Sequence, residues 1–177
     1  MLPENPVFVA LDTTDLDQAA AWANAVQPHV GGVKLGLEFF NSNGPDGVRR
    51  IVDLGLPVFL DLKFHDIPNT VAGAVRAVAG LGAAIVNVHA SGGSAMLTAA
   101  AQAAAEYGAK RPLVIALTVL TSLDDSDLAS VGQAAPAVSQ VERLAQLTLS
   151  CGLDGAVCSS AEITALRAAC GDGFRLI

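Results

Sequence analysis

Short β-branched runs alternate with longer Ala- and Leu-rich segments along almost the whole chain, and no other feature limits the fold as tightly. Runs at 7–12, 33–36, 58–63, 85–90, 113–118, 155–159 and 174–177 read as strands. Segments at 15–26, 45–53, 68–79, 93–107, 139–151 and 161–169 read as the helices between them. The strand runs are continuously apolar, the mark of strands covered on both faces. Such strands alternating with helices imply a parallel sheet with helical crossovers. Helix starts carry their usual signals. Thr13-Thr14-Asp15 precedes the first helix, and Ser159-Ser160-Ala161-Glu162 has the form of a capping box.

An eight-fold barrel typically needs about 250 residues, and compact examples about 200. Seven strands and six helices in 177 residues therefore read as one α/β domain over 1–177. The expected fold is a (β/α)8 TIM barrel, C-terminally truncated after about seven strands. The runner-up is an open doubly wound sheet. Ala10-Leu11-Asp12-Thr13-Thr14 stands where a GxGxxG turn would follow the first strand, which speaks against dinucleotide binding. The connection at 123–138 is either an active-site loop or a plain excursion.

Composition narrows the function classes. A net charge of −7 argues against a broad nucleic-acid surface, though not against a local cationic pocket for one phosphate. The start of the chain has an acidic residue and two prolines before its apolar run, unlike a secretory signal. Arg76, Asn87 and His89 interrupt the most apolar region, so no membrane span is expected. Cys151, Cys158 and Cys170 fit neither a CxxC pair nor a zinc site and read as buried, reduced thiols of a cytoplasmic protein. Trp22 on its Ala-rich helix reads as core packing.

The chemistry concentrates in Val58-Phe59-Leu60-Asp61-Leu62-Lys63-Phe64-His65-Asp66-Ile67-Pro68-Asn69-Thr70. On a strand, residues two apart share a face, so Asp61 and Lys63 are expected to point one way and Leu60 and Leu62 the other. The Pro68-Asn69-Thr70 helix start puts the pair at the strand's C-terminal end, where barrel chemistry sits. Asp12 and Lys34 end two earlier strands in the same style. Lys34, Asp61, Lys63 and Asp66 brought close would alternate in sign and sum to zero, a set that can be held in place where a lone buried charge cannot. A plain barrel ion pair with an ordinary helix-start acid is the alternative. His89 reads as structural rather than catalytic, and His65 is given no proton-transfer role. Ser91-Gly92-Gly93-Ser94 could hold an anion on backbone N–H groups, but reads more simply as a glycine turn.

The stretch 59–70 resembles the signature of the orotidine 5′-phosphate decarboxylase family. Val9-Ala10-Leu11-Asp12, Val33-Lys34-Leu35-Gly36, Val88-His89-Ala90-Ser91-Gly92-Gly93, Leu120-Thr121-Ser122 and Gly155-Ala156-Val157-Cys158-Ser159 are similar too, in register from about residue 7 to the last. The resemblance implies a lyase of pyrimidine biosynthesis that converts orotidine monophosphate to uridine monophosphate and carbon dioxide, with no metal or organic cofactor. It implies Lys63 as the acid that protonates C6, and Asp61 beside the substrate carboxylate. Lys34 would bridge Asp61 and the ribose hydroxyls, Asp12 would accept from the ribose, and Thr121 would contact the pyrimidine edge. Asp66, Ile67 and Thr70 would reach into the partner's site of a homodimer.

The family pattern continues past a strand like Phe174-Arg175-Leu176-Ile177 into a Thr-Pro-Gly-Ile-Arg segment and a phosphate-gripping loop. By that resemblance, these 177 residues are expected to hold the catalytic groups without most of the phosphate site, in a form of low or no activity. Two other readings differ in class. One is a magnesium-dependent lyase acting on a keto-sugar phosphate, whose members carry Glu where Lys34 stands and lack Ile67-Pro68-Asn69-Thr70. The other is a fragment that folds and dimerises without catalysis.

Overall fold

The computed structural model describes residues 5–133 and 135–177, so Met1 to Glu4 of the acidic, proline-bearing start lie outside the described residues. Strands β1 (Phe8–Ala10), β2 (Gly32–Leu35), β3 (Val58–Phe64), β4 (Ile85–His89), β5 (Leu113–Leu117), β6 (Gly155–Val157) and β7 (Arg175–Leu176) form one sheet in the order β1-β2-β3-β4-β5-β6-β7. Helices α1 (Leu16–Val26), α2 (Leu37–Val52), α3 (Pro68–Ala79), α4 (Gly93–Ala105), α5 (Asp125–Ser130), α6 (Ala137–Ser150) and α7 (Ile163–Cys170) supply the crossovers. Sequential order is what a (β/α) barrel lays down. A doubly wound sheet would reverse its order after the first strands, so that alternative is excluded. Among the described residues no helix is long and apolar enough to cross a membrane.

The chain packs as two compact units. The first comprises Met1–Leu62, Gly73–Val86 and Ala103–Leu113. Its strands pair in parallel, with Ala10 opposite Lys34 and Lys34 opposite Phe59. Val33, Leu35, Leu60, Val48 and Ile51 are fully buried within it. Asp15 caps α1 by accepting from the Asp17 and Gln18 N–H groups, as its place before the helix implies. Helix α2 begins eight residues before the 45–53 segment expected. Gly44, at φ 61° and ψ −164°, breaks the helical path, and Pro45 opens the second half. The proline marks a real helix start, while Asn41-Ser42-Asn43 conceal the first half because their helix propensity is low.

The second unit comprises Lys63–Ala72, Asn87–Gln102 and Val114–Ile177. β5 pairs with β6 and β6 with β7, all in parallel. Val141, Ala145, Ala156, Leu166 and Phe174 form a core against which Cys158 and Cys170 pack. The expected capping box forms: Ser159 N–H donates to Glu162 at 2.8 Å. Residues 160–162 make one tight 3-10 turn, so α7 itself starts at Ile163. Within the 123–138 connection lies α5, opened by a second capping box between Asp124 and Asp127. Asp at the last box position, in place of the usual Glu or Gln, hid this start from the pattern.

Two expectations need correction. Trp22 is 42% exposed rather than in the core. The buried stripe of α1 is Ala19, Ala20 and Ala23, and Trp22 lies about 100° around the helix from its middle. The three cysteines are unpaired but only half-buried. Burial pushes the Cys158 and Cys170 thiols up from their ordinary value, with Glu162 adding to the rise at Cys158.

Candidate active site

In the first unit, register decides which side chains meet. Lys34 is paired with Phe59, and Asp61 lies two residues beyond Phe59, so all three share one face of the sheet. The Lys34 ammonium stands 3.4 Å from the Asp61 carboxylate and 3.8 Å from that of Asp12. The two contacts are unequal. The Asp61 side chain is 12% exposed and that of Asp12 is 70% exposed, so water screens the second far more than the first. Leu60 and Leu62 are buried on the other face, as the alternation required. Gly36, at the start of α2, keeps this end of β2 open. A Cβ there would lie 3.8 Å from Lys34 Nζ and 3.9 Å from Asp12 Oδ1, in ordinary van der Waals contact with both.

Alternation stops at Lys63. Its φ is 53°, and among the described residues it is the one non-glycine with a positive φ. A left-handed conformation at a residue with a Cβ costs about 1–2 kcal/mol. It also rotates the Cα–Cβ bond out of the pleat, so the period-two rule no longer sets the direction of the Lys63 side chain. Within the second unit the Lys63 N–H donates to Asn87 Oδ1 at 2.7 Å. Asn87, the middle residue of β4, is 1% exposed. Sequence reasoning gave Asn87 no role. The available signal was a lone amide inside Ile85-Val86-Asn87-Val88, since a buried amide in an apolar strand must find partners.

The rest of the motif is exposed. The Asp66 carboxylate accepts the Ile67 N–H at 2.6 Å, Ile67 is 66% exposed, and Thr70 is exposed on the first turn of α3. Thr121 is likewise exposed, in the turn after β5. Thr118 in that segment is buried instead, with its hydroxyl donating to the Val157 carbonyl at 3.1 Å. The rings of His65 and His89 stand 5.4 Å apart and tilted by 36°. Gly92 and Gly93 behave as a packed turn. A Cβ on Gly92 would collide with the Met96 thioether, and Gly93 adopts φ 83°.

Residues 5–177 match the orotidine 5′-phosphate decarboxylase / HUMPS family. An orotidine 5′-phosphate decarboxylase of Rhodospirillum rubrum is 55% identical over 99% of this chain and 73% of its own length. One from Paramagnetospirillum magneticum is 51% identical over 98% of this chain and 75% of its own. The crystal structure of orotidine 5′-phosphate decarboxylase from Lactobacillus acidophilus superposes with a TM-score of 0.87 at 36% identity, covering 98% of this chain and 80% of that one. An uncharacterised conserved protein from Geobacillus kaustophilus gives 0.89 at 39% identity, covering 97% and 81%. These structural matches carry the α/β, TIM-barrel-like fold expected from the strand–helix alternation.

Proposed function

The chain belongs to the orotidine 5′-phosphate decarboxylase / HUMPS family, and from that premise we propose that it converts orotidine 5′-phosphate to uridine 5′-phosphate and carbon dioxide in the cytoplasm. The observation that carries this reading is the nearly buried Asp61 carboxylate beside Lys34, at the end of a strand that continues directly into Lys63.

In the proposed reaction the bond from C6 to the carboxylate breaks and its electron pair stays on C6. Carbon dioxide leaves, and the Lys63 ammonium delivers a proton to C6, becoming a neutral amine that solvent reprotonates. A positive group at that carbon lowers the barrier twice, by field and by proton. Asp61 sits beside the substrate carboxylate and disfavours its charged ground state. Lys34 bridges Asp61 and the ribose hydroxyls, where Asp12 accepts. Thr121 meets the pyrimidine edge. No metal or organic cofactor takes part.

Asp66, Ile67 and Thr70 are assigned to the neighbouring site of a homodimer. The exposure of all three, Ile67 above all, supports this. Mixing inactive Lys63→Ala and Asp66→Asn subunits tests the arrangement. Random exchange places one intact site in half of the dimers, restoring about a quarter of wild-type activity. No recovery confines Asp66 to its own subunit.

For the reaction itself, the protein is incubated with orotidine monophosphate, with and without EDTA, while pyrimidine absorbance is followed. Turnover indifferent to chelation is expected. Absence of turnover overturns the reading, and activity lost on chelation favours a magnesium-dependent lyase instead.

A further inference from the structure

We infer that Asn87 is a positioning residue for Lys63: its side-chain oxygen, by holding the Lys63 N–H, keeps the lysine in the left-handed conformation from which it serves C6. The inference rests on the role proposed for Lys63 and adds a residue that the motif does not contain. Three observations support it. Lys63 is the one described non-glycine residue with a positive φ, and it stands where the chain leaves β3. Its N–H is bound by a side chain, with Asn87 Oδ1 at 2.7 Å. Asn87 is 1% exposed, so water cannot replace that acceptor without opening the core.

The physical link is the peptide plane between Leu62 and Lys63. Holding its N–H fixes the N–Cα axis about which φ turns, and an unfavourable φ persists only where its surroundings over-determine it. Without the acceptor, Lys63 is free to relax to an ordinary extended φ. That swings Cβ, and the ammonium four bonds further on, away from the reacting carbon. A displacement of about 1 Å at a reacting group can cost about 100-fold in rate.

The test compares Asn87→Ala with Asn87→Asp, which keeps an oxygen acceptor at the same place. Asn87→Leu, which fills the volume without an acceptor, serves if the alanine variant fails to fold. In the variants lacking the acceptor, kcat is expected to fall about 10- to 100-fold while uridine monophosphate affinity stays within about threefold. Exchange of the C6 proton of bound uridine monophosphate should slow in parallel, since the group that delivers the proton also removes it. Asn87→Asp should recover most of the loss. Unchanged kcat in the acceptor-free variants overturns the inference. So does a joint fall of kcat, product affinity and melting temperature that Asn87→Asp does not relieve, because that pattern is purely structural. If the wild-type protein itself turns over no substrate, the proposed reaction fails, and hydrogen exchange at the Lys63 amide decides Asn87 independently. Protection lost by about tenfold or more in Asn87→Ala sustains the contact, and equal protection overturns it.

Discussion

Two ion pairs of the first unit, Arg76–Glu106 and Lys34–Asp61, rank in opposite orders by geometry and by consequence. Arg76 grips Glu106 through three hydrogen bonds of 2.7 to 3.0 Å, with the side chains 47% and 50% exposed. Lys34 stands a looser 3.4 Å from Asp61, with exposures of 26% and 12%. The tighter pair is the weaker determinant. Water and salt screen it, and either partner can be rehydrated if the other is lost. Asp61 has little access to water, so its charge depends on the protein around it. Distance measures how well two groups fit, and burial measures what happens when one is removed.

The largest expected effect lies two residues beyond Asp61 of the buried pair. Lys63→Ala should lower decarboxylation by about 10⁴-fold or more, with both proton and field removed, while uridine monophosphate binding stays within about tenfold. Steady-state turnover and product titration measure both, and near-normal turnover would remove Lys63 from its role. Next comes an asymmetry inside the buried pair. Lys34→Met removes the opposite charge 3.4 Å from a carboxylate that is 12% exposed and should cost about 2–4 kcal/mol in urea unfolding. Asp61→Asn leaves only the more exposed lysine and should cost about 1–2 kcal/mol. Equal losses would break the claim that burial sets the ranking.

Arg76→Gln and Glu106→Gln should move the urea midpoint least, and 1 M salt should shrink even that difference. The acid side gives a finer comparison. The hydrogen bond and charge of Arg76 hold the Glu106 carboxyl below its ordinary value. Its small contribution is therefore complete above the ordinary carboxylate range and fades as pH falls through the lowered value, below about pH 4. Glu106→Gln should flatten the acid limb of the stability profile only there. The small difference is present in full at neutral pH and vanishes in acid; a neutral-pH loss as large as that of Asp61→Asn would mean that the exposed pair matters more than its hydration allows. Sluggish alkylation is expected at Cys158 and Cys170, whose raised thiols hold little thiolate at neutral pH. Labelling at the rate of a free thiol would contradict their packing against the second unit's core.

Much of this was legible locally. Asp15 and the Ser159–Glu162 box announced their helices because capping is a matter of a few neighbouring residues. The seven strands emerged as apolar runs, and their β/α rhythm pointed to a barrel-type sheet. The first half of α2 and all of α5 escaped. In the one case, weak helix formers are carried by what they pack against; in the other, a box used Asp where Glu or Gln is usual. Trp22 was misplaced because a helix pattern identifies an apolar stripe without saying how wide the buried part is.

The site divides along the same line. Asp12, Lys34, Asp61 and Lys63 could be singled out from residue type and strand position, and the pairing of Lys34 with Asp61 follows once the register of β2 on β3 is known. Residue types and their spacing along the chain are properties of the sequence, so the DxKxxD run and the strand–helix rhythm could be read directly. The left-handed turn at Lys63 and its hold on Asn87 could not. Lys63 and Asn87 are 24 residues apart, and an unfavourable φ survives only where a distant side chain makes it the lower state. No local rule carries that information, because the stabilising group arrives only when the chain has folded.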